Sequence, residues 1–120
     1  MINRSKKLSP HFTIGEFVRK GVEPPAAVVK NLTRLAAALE EVRTLMGNKP
    51  ITVNSGYRTP EHNKAVGGAP NSYHLKGMAA DIVVMGMSPK QVQAKLKKWN
   101  GGLGAYTTFT HVDIGPERRW

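Results

Sequence analysis

The chain contains no cysteine. That absence excludes disulfides, thiolate nucleophiles and every cysteine-based zinc site, so any metal must be held by histidine and carboxylate. Acidic residues are scarce too: eight Asp and Glu stand against eighteen Lys and Arg, a formal charge of +10. Such an excess attracts a polyanion, whether nucleic acid, anionic lipid or an acidic cell-wall polymer, and charge by itself does not choose among them. Aromatic residues number only eight and no recognised nucleic-acid motif accompanies them, so nucleic acid is not the expected partner. No apolar run is long enough to cross a bilayer. The opening MINRSKKLSPHF is basic but has neither an apolar segment nor a small-residue cleavage site, and a Sec signal peptide is not expected. There is also no internal repeat and no linker.

What is present fits one modest core. The chain has 120 residues, 40% of them hydrophobic and spread along its length. This predicts a single domain over 1–120; a monomer is expected, although nothing in the sequence fixes the oligomeric state.

In FTIGEF, Thr13 is followed three residues on by Glu16, a capping box, with Phe12 and Phe17 placed as a hydrophobic staple, so a short helix is expected there. EPPAAVVKNLTRLAAALEEVRTLMG opens on prolines and repeats apolar residues at Val28, Leu32, Leu35, Ala36, Leu39, Val42 and Leu45 or Met46, with Gly47 as C-cap: the main helix. ITVNSGYR turns to β-type residues, and TPEHNKAVGG reads as a Pro-started helical turn entering a glycine-rich loop. MAADIVV is the best buried strand. SPKQVQAKLKKW predicts an amphipathic helix capped by Ser88, with Val92, Leu96 and Trp99 on one face and a basic outer side. GLGAYTT and FTHVDIG predict two closing antiparallel strands. The order implies an α+β domain whose helices cover one face of a small antiparallel sheet.

Polar residues inside those strands then demand a reason. Asp81 interrupts AADIVV, where an unpaired carboxylate would carry a heavy desolvation penalty. His111 interrupts FTHVDI, and Asp113, two residues on, shares its side of the strand because side chains alternate. His74 precedes the Asp81 strand, and Gly77 with Ala79 and Ala80 is expected to let the backbone pack closely around a site. Two readings stand: Asp81 pairs with Arg58 or Lys76, or His74, Asp81 and His111 form a three-ligand zinc site with a position open to water.

S-x-H-x-x-G-x-A-x-D in SYHLKGMAAD, with SGYR upstream and HVD downstream, resembles the zinc D-Ala-D-Ala carboxypeptidase family. That group includes bacterial D,D-dipeptidases and phage L-alanyl-D-glutamate endolysins, and shares the fold of hedgehog signalling domains. The resemblance runs from HFTIGEF through GYRTPEHNKAVGGAPNSYH to HVDIGPERRW, nearly the whole chain. It implies a hedgehog/DD-peptidase-like fold and a Zn²⁺ cofactor held by His74, Asp81 and His111. It also places Arg58 near the substrate carbonyl or carboxylate and Ser72 in the same pocket. The implied activity is hydrolysis of amide bonds in peptidoglycan stem peptides, as a D,D-carboxypeptidase or an L,D-type endopeptidase. Small members of the group without a signal peptide often come from phages or prophages, so the resemblance further implies an endolysin-like enzyme. Such an enzyme would be made in the bacterial cytoplasm and act in the periplasm or wall, in some cases as part of the virion.

One expected part is missing. Many relatives carry an acid three residues before the last zinc histidine as general base, and others a histidine two before it; here those positions are Thr108 and Phe109. The remaining acids near the motifs are Glu61, Asp113 and Glu117. Asp113 is favoured by sharing the strand face of His111, and it reads equally as base or as the carboxylate that orients the imidazole. His62 is a candidate for proton transfer or substrate contact, against a solvent-facing role at a short helix. His11 reads as structural. The missing acid keeps a second function in view, a zinc-bearing wall-binding or virion module without turnover.

Overall fold

The apolar spacing that follows Pro24 and Pro25 becomes α1 (Ala26–Leu45) in the computed structural model, which describes residues 2–120. Pro25 takes the N-cap position in extended conformation, and the prolines preset the entry to the helix. Val28, Leu32, Leu35, Ala36, Leu39 and Val42 are all buried; of the two candidates for the next position Met46 is buried and Leu45 exposed. The helix ends on two left-handed residues, Gly47 (φ 74°) and Asn48 (φ 62°), and the Asn48 N–H bonds back to the Arg43 carbonyl at 2.9 Å.

Upstream, β1 (Lys7–Ser9) pairs with β2 (Phe12–Thr13) in a hairpin that the residue pattern did not reveal. β2 leads into a single 3-10 turn, Ile14–Glu16, where the Glu16 carboxylate accepts from the Thr13 N–H at 2.7 Å and the Phe12 and Phe17 rings meet at 5.9 Å. The expected short helix is thus one turn long. His11, as expected, is structural: it ties the hairpin to Glu40 of α1.

The main sheet contains β3 (Ile51–Ser55), β4 (Ala79–Val84), β5 (Gly102–Ala105), β6 (Thr110–Asp113) and β7 (Arg118–Arg119) in the order β3-β4-β6-β5-β7. Four strands pair antiparallel as expected. The residues after β6 reverse the chain, so β7 runs with β5 and adds one short parallel pair at the edge. The connections carry α2 (Pro60–Ala65), capped by Thr59, and α3 (Pro89–Lys95). Ser88 caps α3 and Gln91 returns the bond, completing a capping box. α3 stops before Trp99, yet Val92, Leu96 and Trp99 are all buried.

Alternation along the strands sorts the two faces of the sheet. Ala80, Ile82, Val84, Leu103 and Val112 join the apolar stripes of α1 and α3 in one core. Asp81, His111 and Asp113, one residue out of phase, take the other face. Of the small residues before Asp81, Ala79 lies on the Asp81 face opposite Asp113, whereas Gly77 and Ala80 serve the core. Gly77 is left-handed (φ 72°), and a Cβ there would lie 2.9 Å from Val28 and 3.2 Å from Leu32, so the glycine admits α1. Ala80 likewise belongs to the core.

Candidate metal centre

The site is assembled across two central strands and one turn. Asp81 of β4 stands directly opposite His111 of β6 in the ladder, which puts both side chains on one face about 5 Å apart at Cβ. His74 comes from a second 3-10 turn, Tyr73–Lys76, whose N-cap is Ser72; the Ser72 hydroxyl accepts from the His74 N–H at 3.1 Å and so sets the start of that turn. All three side chains are buried.

Each imidazole has its free nitrogen selected by a partner behind it. His74 Nδ1 donates to the Gly56 carbonyl at 2.7 Å, leaving the Nε2 lone pair facing Asp81 Oδ1 at 3.2 Å. His111 Nε2 donates to Asp113 Oδ2 at 2.8 Å, leaving Nδ1 facing the same Asp81 oxygen at 3.0 Å. Three electron-rich atoms therefore converge, all within 4.8 Å of one another, on a point that calls for a cation. Metal–ligand bonds of about 2.0–2.1 Å in a tetrahedron place neighbouring ligand atoms about 3.3 Å apart, and the donor set of two imidazoles and a carboxylate suits zinc. The residues fit the ion.

The contacts also set the electrostatics of the metal-free site. Burial alone would raise the Asp81 carboxyl, but the hydrogen bonds and charges of His111 and His74 outweigh it and hold the pKa at about 2. Burial would lower His111, and its bonds to Asp113 and Asp81 raise it instead. Asp113 is pushed up by burial and brought below its ordinary value by His111, the Gly115 N–H and Arg118.

Asp81 pairs with Arg58 and also faces both histidines. Its Oδ1 faces the histidines while its Oδ2 pairs with Arg58 Nη2 at 3.3 Å; Lys76 is instead exposed beside the Tyr73 ring. Arg58 is held along its whole fork, with Nε on Ser55 at 3.2 Å and Nη1 on Asn63 at 3.2 Å. Asp113 is fully buried and receives four donors: His111 Nε2, the Gly102 and Gly115 N–H groups, and Arg118.

A cavity of about 620 Å³ opens in front of these groups, lined by Arg58, Ser72, His74, Asp81, His111 and Asp113 among others. His62 does not reach it. That residue lines a separate recess of about 300 Å³, with its Nδ1 2.7 Å from Arg19 Nη1. Glu61, Thr108 and Glu117 do not line the cavity either, so among the described residues its only acids are Asp81 and Asp113. Reading the sequence missed that Tyr73, Tyr106, Phe109, Arg118 and Trp120 also line this cavity. The adjacent RRW after HVDIG was the available signal, and only the pairing of β7 with β5 shows that it returns to the site.

Comparison with known proteins gives a consistent picture. The sequence model of the Peptidase M15 family matches residues 10–113. The probable peptidoglycan L,D-endopeptidase MepK of Haemophilus influenzae is 32% identical over 145 aligned positions, covering 99% of this chain and 75% of that protein. The peptidoglycan L,D-endopeptidase MepK of Escherichia coli K12 is 36% identical over 91 positions, 68% of this chain and 50% of its own length. The zinc D-Ala-D-Ala carboxypeptidase of Streptomyces albus G is 41% identical over 123 positions, 92% of this chain and 48% of its own. The chain thus spans three quarters of the first relative and about half of the other two.

Proposed function

Because the chain belongs to the Peptidase M15 family, whose members are zinc-dependent peptidases, we propose that it hydrolyses amide bonds in peptidoglycan stem peptides. The observation that carries this reading is the convergence of His74 Nε2, Asp81 Oδ1 and His111 Nδ1 at the floor of an open cavity. Zn²⁺ held by His74, Asp81 and His111 would supply Lewis-acid activation of water and of a carbonyl.

The protein's own groups supply the rest. His74 and His111 are kept in the tautomers that ligation needs, by Gly56 and Asp113 respectively. Arg58, braced by Ser55, Asn63 and Asp81, presents a fixed positive charge beside the ligands, suited to a developing oxyanion. Ser72 fixes the His74 turn and lines the pocket, where its hydroxyl meets substrate. Asp113 has its acceptor positions filled by four donors and no exposure, and its role is to orient His111 rather than to take a proton from water. His62, outside the cavity, has no place in this scheme.

The enzyme would work in the periplasm or cell wall, and the charge of +10 favours retention on anionic wall polymers. The finer assignment, an endolysin-type enzyme brought to the wall by a phage or prophage, is supported by the likeness of SYHLKGMAAD, SGYR and HVD to that group. A competing reading, a zinc-bearing wall-binding or virion module, draws on the lack of a free acid in the cavity among the described residues.

Mass spectrometry of purified peptidoglycan incubated with the zinc-loaded protein tests both. A peptidase releases new amino termini, stops when zinc is chelated and resumes when it is restored; the fragment masses also identify the bond. Sedimentation with the wall and no new termini would establish the binding module instead.

A further inference from the structure

The cavity contains a second guanidinium, and it is the more available of the two. Arg58 is only 15% exposed and all three of its nitrogens are engaged by Ser55, Asn63 and Asp81. Arg118 is 43% exposed, and its single side-chain hydrogen bond runs from Nη2 to Asp113 Oδ2 at 2.6 Å. A guanidinium has five N–H donors in a rigid fork, so four donors of this cavity-lining side chain are left without a protein acceptor.

The side chain is nonetheless held still. Its guanidinium carbon lies 5.1 Å from the centre of the Tyr73 ring and 5.0 Å from that of Trp120, a cation between two aromatic faces. Trp120 is itself seated: its Nε1 donates to Tyr106 Oη at 2.9 Å, its ring lies 4.9 Å from that of His111, and its backbone exchanges bonds with Leu103 and Ala105. A Cβ on Gly104 would fall 2.6 Å from the indole, so β5 carries glycine where the ring lies against it. Ordering a long side chain ordinarily opposes binding, and here the protein has already imposed that order.

The local charge balance names the ligand. Two aspartates and two arginines neutralise one another around the ligand set, and a bound dication leaves the cavity net positive. An anion that can occupy a planar fork is a carboxylate, which pairs with guanidinium through two parallel hydrogen bonds. We infer that Arg118 anchors a carboxylate of the substrate and makes that carboxylate a requirement for efficient cleavage. This rests on the peptidase reading above and adds the feature of the peptide that the site selects. Stem peptides offer such a group at their carboxyl terminus and on the α-carbon of the γ-linked glutamyl residue.

The test compares synthetic stem peptides carrying free carboxylates with two versions, one amidated at the carboxyl terminus and one at the glutamyl α-carboxyl, on the zinc-loaded wild type, R118Q and R118K. For the wild type, amidation at one of the two positions lowers kcat/KM about 10- to 100-fold, mainly through KM, and this identifies the carboxylate used. R118Q loses a similar factor on the acid peptide and little on that amide, so its discrimination falls to near unity. R118K keeps a positive charge beside Asp113 but lacks the fork, and its discrimination falls between the two. Because each protein is compared with itself across peptides, partial misfolding of a variant does not mimic the result. If R118Q retains the wild-type preference, or if the wild type ignores both amidations, Arg118 is only a brace for Asp113. If the wild type cleaves no peptide, the peptidase reading fails, and the same peptides become stable ligands for calorimetry. Tighter binding of the acid peptide than of the amide, lost in R118Q, then upholds the anchor; equal binding overturns it.

Discussion

Asp113 shows how much of this site depends on one buried oxygen pair. Its Oδ2 accepts from both His111 and Arg118, while Oδ1 accepts from two backbone N–H groups. A proton acceptor for water would need an oxygen open to the cavity, and a fully buried carboxylate with four donors has none to spare. Replacement by asparagine keeps the size but removes the charge, so the His111 tautomer loses its strongest support. Asp113→Asn is expected to weaken zinc binding about 10- to 100-fold in a competition with a chromophoric chelator, with activity returning at high zinc. Full zinc affinity with turnover abolished would instead mark Asp113 as the base. His74 needs no such test of orientation, since the Gly56 carbonyl that fixes it is backbone.

At the scale of elements, a second carboxylate joins the amino-terminal hairpin to the main helix. Glu40, inside α1, accepts from the Ser9 hydroxyl at 2.6 Å, the His11 N–H at 2.7 Å and the His11 ring at 2.7 Å. Burial pushes its pKa up, and those bonds together with the charge of His11 outweigh it, so the folded value lies below the ordinary one. A depressed folded pKa means that the unfolded chain takes up the proton first as pH falls. The stabilisation is complete above the unfolded value near 4.5 and is lost as pH drops toward the folded one. Glu40→Gln is therefore expected to lower stability by about 1–2 kcal/mol at neutral pH and to match the wild type in strong acid, read from urea melts along a pH series. A constant difference at every pH would show that packing, not charge, holds the hairpin.

This hairpin was not legible in the sequence, because strands of three and two residues leave no period to recognise. The buried face of α1 was legible as far as Val42, since six apolar positions at helical spacing leave one face to bury, while the choice between Leu45 and Met46 was not. β4 was legible as a short apolar run, and the ionisable residues that interrupt β4 and β6 are two of the three converging groups. Arg118 and Trp120 were opaque because nothing local distinguishes them from a solvated basic tail; only the register of β7 beside β5 carries them back to His111. His62 is four residues from Arg58 in the sequence, but α2 turns it into another recess, a position that spacing alone does not reveal.

For the whole molecule, a metal held by His74, Asp81 and His111 would be a structural partner as well as a chemical one. These proposed ligands come from the turn at Tyr73–Lys76 and from the two central strands, so one ion there would tie together segments that meet only in the folded chain. The Asp81 carboxyl, with a pKa of about 2, stays charged at any working pH and must be balanced on a buried face of the sheet. A ligand that binds the folded state alone stabilises it by RT ln(1 + [L]/Kd), about 4 kcal/mol at a thousandfold excess over Kd. For a chain of this size that corresponds to a rise in melting temperature of roughly 10–25 °C. Calorimetric scans of the zinc-loaded protein and of the same sample after dialysis against a chelator are expected to differ by that amount, and the upper transition to return with added zinc. His74→Ala removes one ligand, and its melting temperature should hardly respond to zinc. Equal transitions with and without zinc in the wild type would mean that His74, Asp81 and His111 do not form the metal centre, and the proposed hydrolysis would lose its basis.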